Sequence, residues 1–253
     1  MNVMGLMVLM AVWGAGPNLP LGDVLTQVGK SVERFWEEFP SVTCDETVLQ
    51  QKLGTKGKIL YSQKSVFDYL IFMNFDGTDP AVEESRVLKT KNGKSENLPL
   101  LVSNGFPTLL LVFHPFYQGS FEYSRLEDEV VEGRALMRVQ FRHIQGSRST
   151  SALRLRGRDY PLDLQGTAWI EPKSGEIVRI KAGLVAPMDD VGLKALETEV
   201  SYAPIQFGTS NPPEWLPSVA TVDLETVKQH WRNTHQFTEY RQFSVKSESQ
   251  IKK

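Results

Sequence analysis

Cysteine is nearly absent from this chain: Cys44 is the only one in 253 residues. No intrachain disulfide is possible and a cysteine-based metal cluster is excluded, so stability has to come from packing. Cys44 follows a charged amphipathic segment rather than an apolar leader, which argues against an acylated anchor and for a half-buried strand thiol. Histidine is also scarce, with four residues: His114, His143, His230 and His235. A metal pair is conceivable at His230 and His235, but no H-E-x-x-H spacing is present and a structural role is expected for all four. No G-x-S-x-G supports a nucleophile elbow. Asn92-Gly93-Lys94-Ser95 ends like a phosphate-binding loop, yet Leu88 stands where the first glycine is required, so a hairpin turn is expected. No catalytic residue, metal or cofactor is therefore assigned.

Charge of one sign is lacking as well. The formal net charge is -2, with 41% hydrophobic and 23% charged residues, a globular composition without a nucleic-acid footprint. No Lys or Arg precedes Lys30, so the apolar segment Met1 to Gly16 has no basic n-region. It is long enough for a signal-peptide core and too short for a membrane span of about 20 residues; export is expected, with a buried core helix as the other reading. No repeat or linker divides residues 17–245, which are expected to form one β-rich domain ahead of a polar tail at 246–253.

Asp23 to Phe39 places Val24, Leu25, Val28, Val32, Phe35, Trp36 and Phe39 on one side of a helical wheel, which predicts an amphipathic helix capped by Asp23 and stopped by Pro40. Its mixed polar face favours docking on the protein's own sheet over a membrane. After Pro40 the period becomes two. Strands are expected at 42–53, 66–75, 85–91, 119–131, 134–144, 152–157, 162–171, 176–184, 196–206, 218–230 and 234–245, with a helical turn or strand at Pro107 to Phe113. The clearest unit is GTAWIEPKSGEIVRI, Gly166 to Ile180, two alternating runs around a Pro172-Lys173-Ser174-Gly175 turn. Further corners are expected at Glu132-Gly133 and His230 to Asn233.

Short connections favour antiparallel neighbours. One apolar face and one convincing helix to cover it predict a mainly β, α+β fold: a strongly curved antiparallel sheet or half-barrel, with the N-terminal helix packed on its concave face. A closed barrel or a sandwich would satisfy the same pattern. Such a concavity can leave room for an apolar ligand. Arg138, Arg142, Arg154, Arg156, Arg158, Arg179 and Lys181 admit an anionic partner, but Glu197 and Glu199 are spaced to face Arg179 and Lys181, and a salt-bridged solvated face is expected.

The G-x-x-W-I-x-P-x-x-G-x-I-x-R-I hairpin, the Trp215-Leu216-Pro217 entry to a long strand and the closing Tyr240-Arg241-Gln242-Phe243 strand, behind an exported helix, resemble the periplasmic lipoprotein-carrier superfamily. These are outer-membrane lipoprotein-sorting proteins with a half-open barrel, and the likeness extends over about Cys44 to Val245. The resemblance implies non-catalytic binding of a lipid or an acylated protein in a periplasmic or envelope setting, without a cofactor. An envelope scaffold that contacts other envelope proteins is the alternative. Trp169, Ile170, Val178 and Ile180 are the candidate ligand-binding residues, with Trp169 and Ile170 on opposite faces. Neither nucleic acid nor an integral membrane span is expected for the mature chain.

Overall fold

In the computed structural model the described residues are 19–39, 41–76, 79–89, 105–155, 157–207 and 213–242. The signal-peptide segment, the Asn92 to Ser95 turn and the polar tail lie outside them. Helix α1 (Leu21–Glu38) is followed by β1 (Ser41–Leu53), β2 (Ile59–Asp76) and β3 (Asp79–Leu88). A 3₁₀ segment (Pro107–Phe113) leads into the short α2 (Pro115–Gln118). Then come β4 (Phe121–Arg125), β5 (Glu129–Val131), β6 (Arg134–His143), β7 (Ala152–Leu155), β8 (Arg158–Pro161), β9 (Leu164–Ile170), β10 (Ile177–Leu184), β11 (Leu193–Ile205), β12 (Glu214–Thr226) and β13 (His230–Gln242).

Ten strands form one antiparallel path, β3-β2-β1-β13-β12-β11-β10-β9-β6-β4, with β5 added on β6, and the sheet is curved but not closed. The inward faces alternate as a half-covered sheet demands: Val42, Cys44 and Val48 on β1, Val139 and Phe141 on β6, Val200 and Tyr202 on β11 are buried. Helix α1 contributes Val24, Val28, Val32, Phe35 and Trp36, and Phe39 just beyond it, to the same hydrophobic cluster. It shares the covering task with the 3₁₀ segment, whose Leu109 to Phe113 are all buried. That segment runs through the interior from Phe106, beside His235 and Phe237, to Phe113, beside Phe141.

Strand ends shift from the sequence expectation, β2 starting at Ile59 and β3 at Asp79, the run 119–131 divides into β4 and β5, and three further features differ. The helix begins at Leu21, so Asp23 is an acidic residue in the first turn rather than its cap. The corner expected at His230 to Asn233 lies earlier, because Leu224 pairs with Trp231 and Glu225 with His230. Strand β12 starts at Glu214, before Pro217, which pairs with Tyr202 of β11 beside a register irregularity and lies beyond the β13 ladder, which reaches only to Val219. Third, residues 152–161 do not continue the main sheet. They pair only with each other, as the separate hairpin β7–β8.

The Pro172 to Gly175 turn forms as expected. The Glu171 carboxylate accepts the N–H groups of Lys173 and Ser174, and Gly175 has φ +76°. The turn is also a docking point: Gln27 of α1 donates to the Lys173 carbonyl, and a Cβ on Gly175 would lie 2.9 Å from the Gln27 backbone. Glycine is required there for conformation and for close approach together.

Candidate functional site

Among the described residues, two cavities on the inner side of the sheet are separated by the β7–β8 hairpin. A strand alternates its side chains, so Ala152 and Arg154 face one cavity while Leu153 and Leu155 face the other. The first, about 630 Å³, is mixed in character: Glu84, Phe106, Leu109, Thr150, Leu164 and Thr198 are among its lining residues. The second, about 670 Å³, is enclosed mainly by apolar side chains, Leu153, Leu155, Val191, Leu193, Leu224 and Trp231. Tyr61 packs edge-on against Trp231, and the Lys52 ammonium lies 5.8 Å from the centre of the Trp231 ring.

Between the first cavity and the strands at the β3 edge sits a buried ionic cluster. Glu46 points inward from β1, in the same phase as Val42, Cys44 and Val48, and is fully buried. Arg86 of β3 donates to both of its carboxylate oxygens, at 2.5 and 2.9 Å, and its guanidinium lies over the Tyr69 ring. His235 Nδ1 is 2.8 Å from Glu46 Oε1. Glu84 accepts from the Tyr69 hydroxyl and from the Gly105 N–H, which fastens the start of the 3₁₀ segment to β3.

Burial raises the Glu46 carboxyl, but the hydrogen bonds from His235 and Arg86 outweigh it and hold the group below the usual carboxylate range. Burial drives His235 down despite Glu46 beside it, so the folded imidazole is neutral and Nδ1–H donates to the carboxylate. Burial pushes Glu84 up, only partly opposed by Tyr69 and Arg86. Depressed values at His235 and Glu46 make contributions that are complete above their unfolded pKa values and lost as pH falls. The raised Glu84 works in the opposite sense. Stability should therefore decline as pH drops below about 6.5, where unfolded histidine protonates, and Glu84→Gln should steepen the decline. Urea midpoints measured between about pH 7.5 and 5.5 check this; a midpoint that climbs on acidification contradicts it.

The residues singled out in the sequence are placed elsewhere. Ile170 and Ile180 are fully buried in the core cluster, and Val178 is buried beside a register irregularity of β10. None of these three is among the lining residues of either inner cavity. Trp169 lies on the outer face, opposite in parity to Ile170. Its indole N–H donates to Glu129 at 2.8 Å, and the Arg179 guanidinium stacks 3.8 Å from the ring centre. Arg138 and Arg179 each approach Glu129 to 3.5 Å, so this group clamps β5 across β6, β9 and β10. The expected partnering of Arg179 with Glu197 or Glu199 is thereby replaced, while Lys181 does reach Glu197, at 3.8 Å. Placement of Arg156 lies outside the described residues.

The histidines are likewise accounted for by local structure. His114 Nδ1 accepts from Phe116 N, His143 Nε2 contacts the Arg148 carbonyl, and His230 contacts Asp223. His230 and His235 stand on opposite faces of β13, one half-buried and one buried, and do not converge. Among the described residues no three His, Cys, Asp or Glu side chains form a metal-binding group. Cys44 is fully buried, and burial pushes its thiol up to about 12. The sequence offered one signal for the ionic cluster: Glu46 is a carboxylate in the apolar phase of its strand.

Fold and interior together define a half-open antiparallel barrel with a divided cavity. No protein-family model matches the chain, and no curated protein matches it. Among solved structures it is similar to a DUF1329 family protein from Desulfovibrio piger, at 9% identity over 89% of this chain and 94% of that one, with a TM-score of 0.46. It is also similar to an outer membrane lipoprotein-sorting protein domain from Vibrio parahaemolyticus, at 10% identity over 89% and 94%, TM-score 0.41. A match to the Pseudomonas aeruginosa MucA/MucB complex has 10% identity over 88% and 99%, and a TM-score of 0.20.

Proposed function

We propose that this chain is a non-catalytic cell-envelope protein that holds an acyl chain or other apolar ligand between the sheet and the β7–β8 hairpin. The observation that carries this reading is the 670 Å³ cavity, whose size falls in the ligand-pocket range and whose lining is mainly leucine, valine and aromatic, with Lys52, Thr226 and Gln229 beside them. Lys52 beside Trp231 suits an amphipathic ligand with an anionic end. The hairpin that closes the cavity shares no backbone ladder with the main sheet, so it can move without breaking one. Ile170 and Ile180 enter this reading as the floor of the concavity, reached by a ligand only when its cover lifts; Val178 supports that floor, and Trp169 holds the sheet from outside. The apolar segment Met1 to Gly16 supports export to the periplasm.

Mass spectrometry of solvent extracts from the purified protein tests the reading, followed by rebinding of phospholipids and acylated peptides to delipidated protein. An apolar species should be recovered, and Leu224→Trp, which fills the cavity from its wall, should remove most of it with the fold intact. Absence of any extractable or rebinding lipid would sink the proposal and leave the envelope-scaffold reading.

A further inference from the structure

We propose that the end of the half-barrel bearing the β1–β2, β7–β8 and β12–β13 turns docks on an anionic lipid bilayer. Register brings the first and last of these together: Leu53 pairs with Ile59 on one side and with His230 on the other. The β7–β8 hairpin reaches the same end, since Leu155 shares a cavity with Tyr61, Gln229 and Trp231.

Each of the three turns presents an exposed aliphatic side chain beside a base. Ile59 and Leu60, 53% and 59% exposed, follow Lys56 and Lys58; Val227, 68% exposed, precedes Lys228; Leu155, 37% exposed, lies close to Arg158. Among the described residues Lys56, Lys58, Lys228 and Arg158 have no ion-pair partner. Their charges are thus available to an outside surface. The acidic pair Asp189 and Asp190 lies on the neighbouring β10–β11 turn, which touches the β12–β13 turn through Val227 N–H and Gly192 O, and it bounds the basic patch on that side.

Exposed aliphatic side chains at one turn and at the strand ends beside the other two, interspersed with lysine and arginine, match an interface of acyl boundary and anionic headgroup. No helix among the described residues is long and apolar enough to cross a membrane, so this would be a surface attachment. Docking in this orientation turns the exposed lining of the 670 Å³ cavity, Leu155, Tyr61 and Gln229, toward the bilayer. The attachment does not depend on that cavity holding a ligand.

Flotation of the purified chain with vesicles of phosphatidylcholine alone, and of phosphatidylcholine mixed with phosphatidylglycerol, tests the proposal. Binding should be confined to the anionic vesicles and weaken with salt. The variant Lys56→Glu/Lys58→Glu/Lys228→Glu should bind on the order of tenfold more weakly or worse. Ile59→Ser/Leu60→Ser should also lose binding, whereas Lys181→Glu on the outer face should not. The altered tips are exposed, so unfolding midpoints should stay near that of the parent, and lipid extracted from the cavity should be unchanged; this separates failure of docking from failure of the ligand reading. No partition to anionic vesicles, or equal binding by the charge-reversed variant, overturns the proposal. So does loss of binding to an envelope protein, rather than to vesicles, in the same variants.

Discussion

Replacing Glu46 by alanine is expected to destabilise the fold by about 3–5 kcal/mol, because it leaves the guanidinium of Arg86 buried without its bidentate partner. The side chain of Arg86 is 8% exposed and that of Glu46 is 0% exposed. Water therefore does not reach the pair to compensate the loss. Glu84 is 3.9 Å from Arg86, but its oxygens already receive the Tyr69 hydroxyl and the Gly105 N–H. His235 would lose its acceptor as well. Removing both charges together is a different experiment: Glu46→Leu/Arg86→Met should lie close to the parent or above it, since well-packed apolar residues often match a buried ion pair. Urea unfolding of the two variants decides the matter. A Glu46→Ala protein within about 1 kcal/mol of the parent would show that the cluster is hydrated and contributes as a surface pair does.

Gly166→Ala is the second change with a large expected cost. Gly166 sits inside β9, between Phe141 of β6 and Ala182 of β10. An added Cβ would fall 2.0 Å from the Lys181 carbonyl oxygen, 2.7 Å from the Phe141 ring and 2.9 Å from the Ala182 Cα. Two of these three atoms are backbone in the middle of a paired sheet, so relief requires parting β9 from β10. A loss of about 3 kcal/mol or more follows from overpacking of this kind, measurable as a lower urea midpoint. Trimming the ring separates the causes. Phe141→Leu combined with Gly166→Ala should recover little, because the nearest obstruction is the carbonyl; full recovery would place the strain in the ring instead.

Much of the sheet was legible because its cause is local. Period-two runs such as Val42 to Leu53, the Pro172 to Gly175 turn and the one-sided helix all read as they fold. The second cover was visible only in part: Pro107 to Phe113 read nearly equally as strand or helical turn, since five apolar residues in a row, Leu109 to Phe113, carry no period. The β7–β8 hairpin was read as one more strand of the sheet. Alternation of Ala152, Leu153, Arg154 and Leu155 is the same whether the run joins that sheet or crosses above it, and only the surrounding elements distinguish the two. Trp169 drew notice as a lone indole in a regular hairpin, yet its partner Glu129 lies 40 residues away on a strand that pairs with another.

The alternation of apolar and polar residues, the turn chemistry and the single helix stripe determined by themselves that this chain builds antiparallel sheet with one face to cover, while its single open, curved path was set by tertiary pairing. Those are constraints between near neighbours, and a sequence states them directly. Whether the cover is complete was decided only in three dimensions. Long-range packing placed a hairpin across the concavity, brought Glu46, Arg86 and His235 together from three strands, and left a cavity on each side of β7, one of them also lined by Thr108 and Leu109 of the 3₁₀ segment. A cavity is a mismatch between surfaces far apart in the chain, and no local pattern records it.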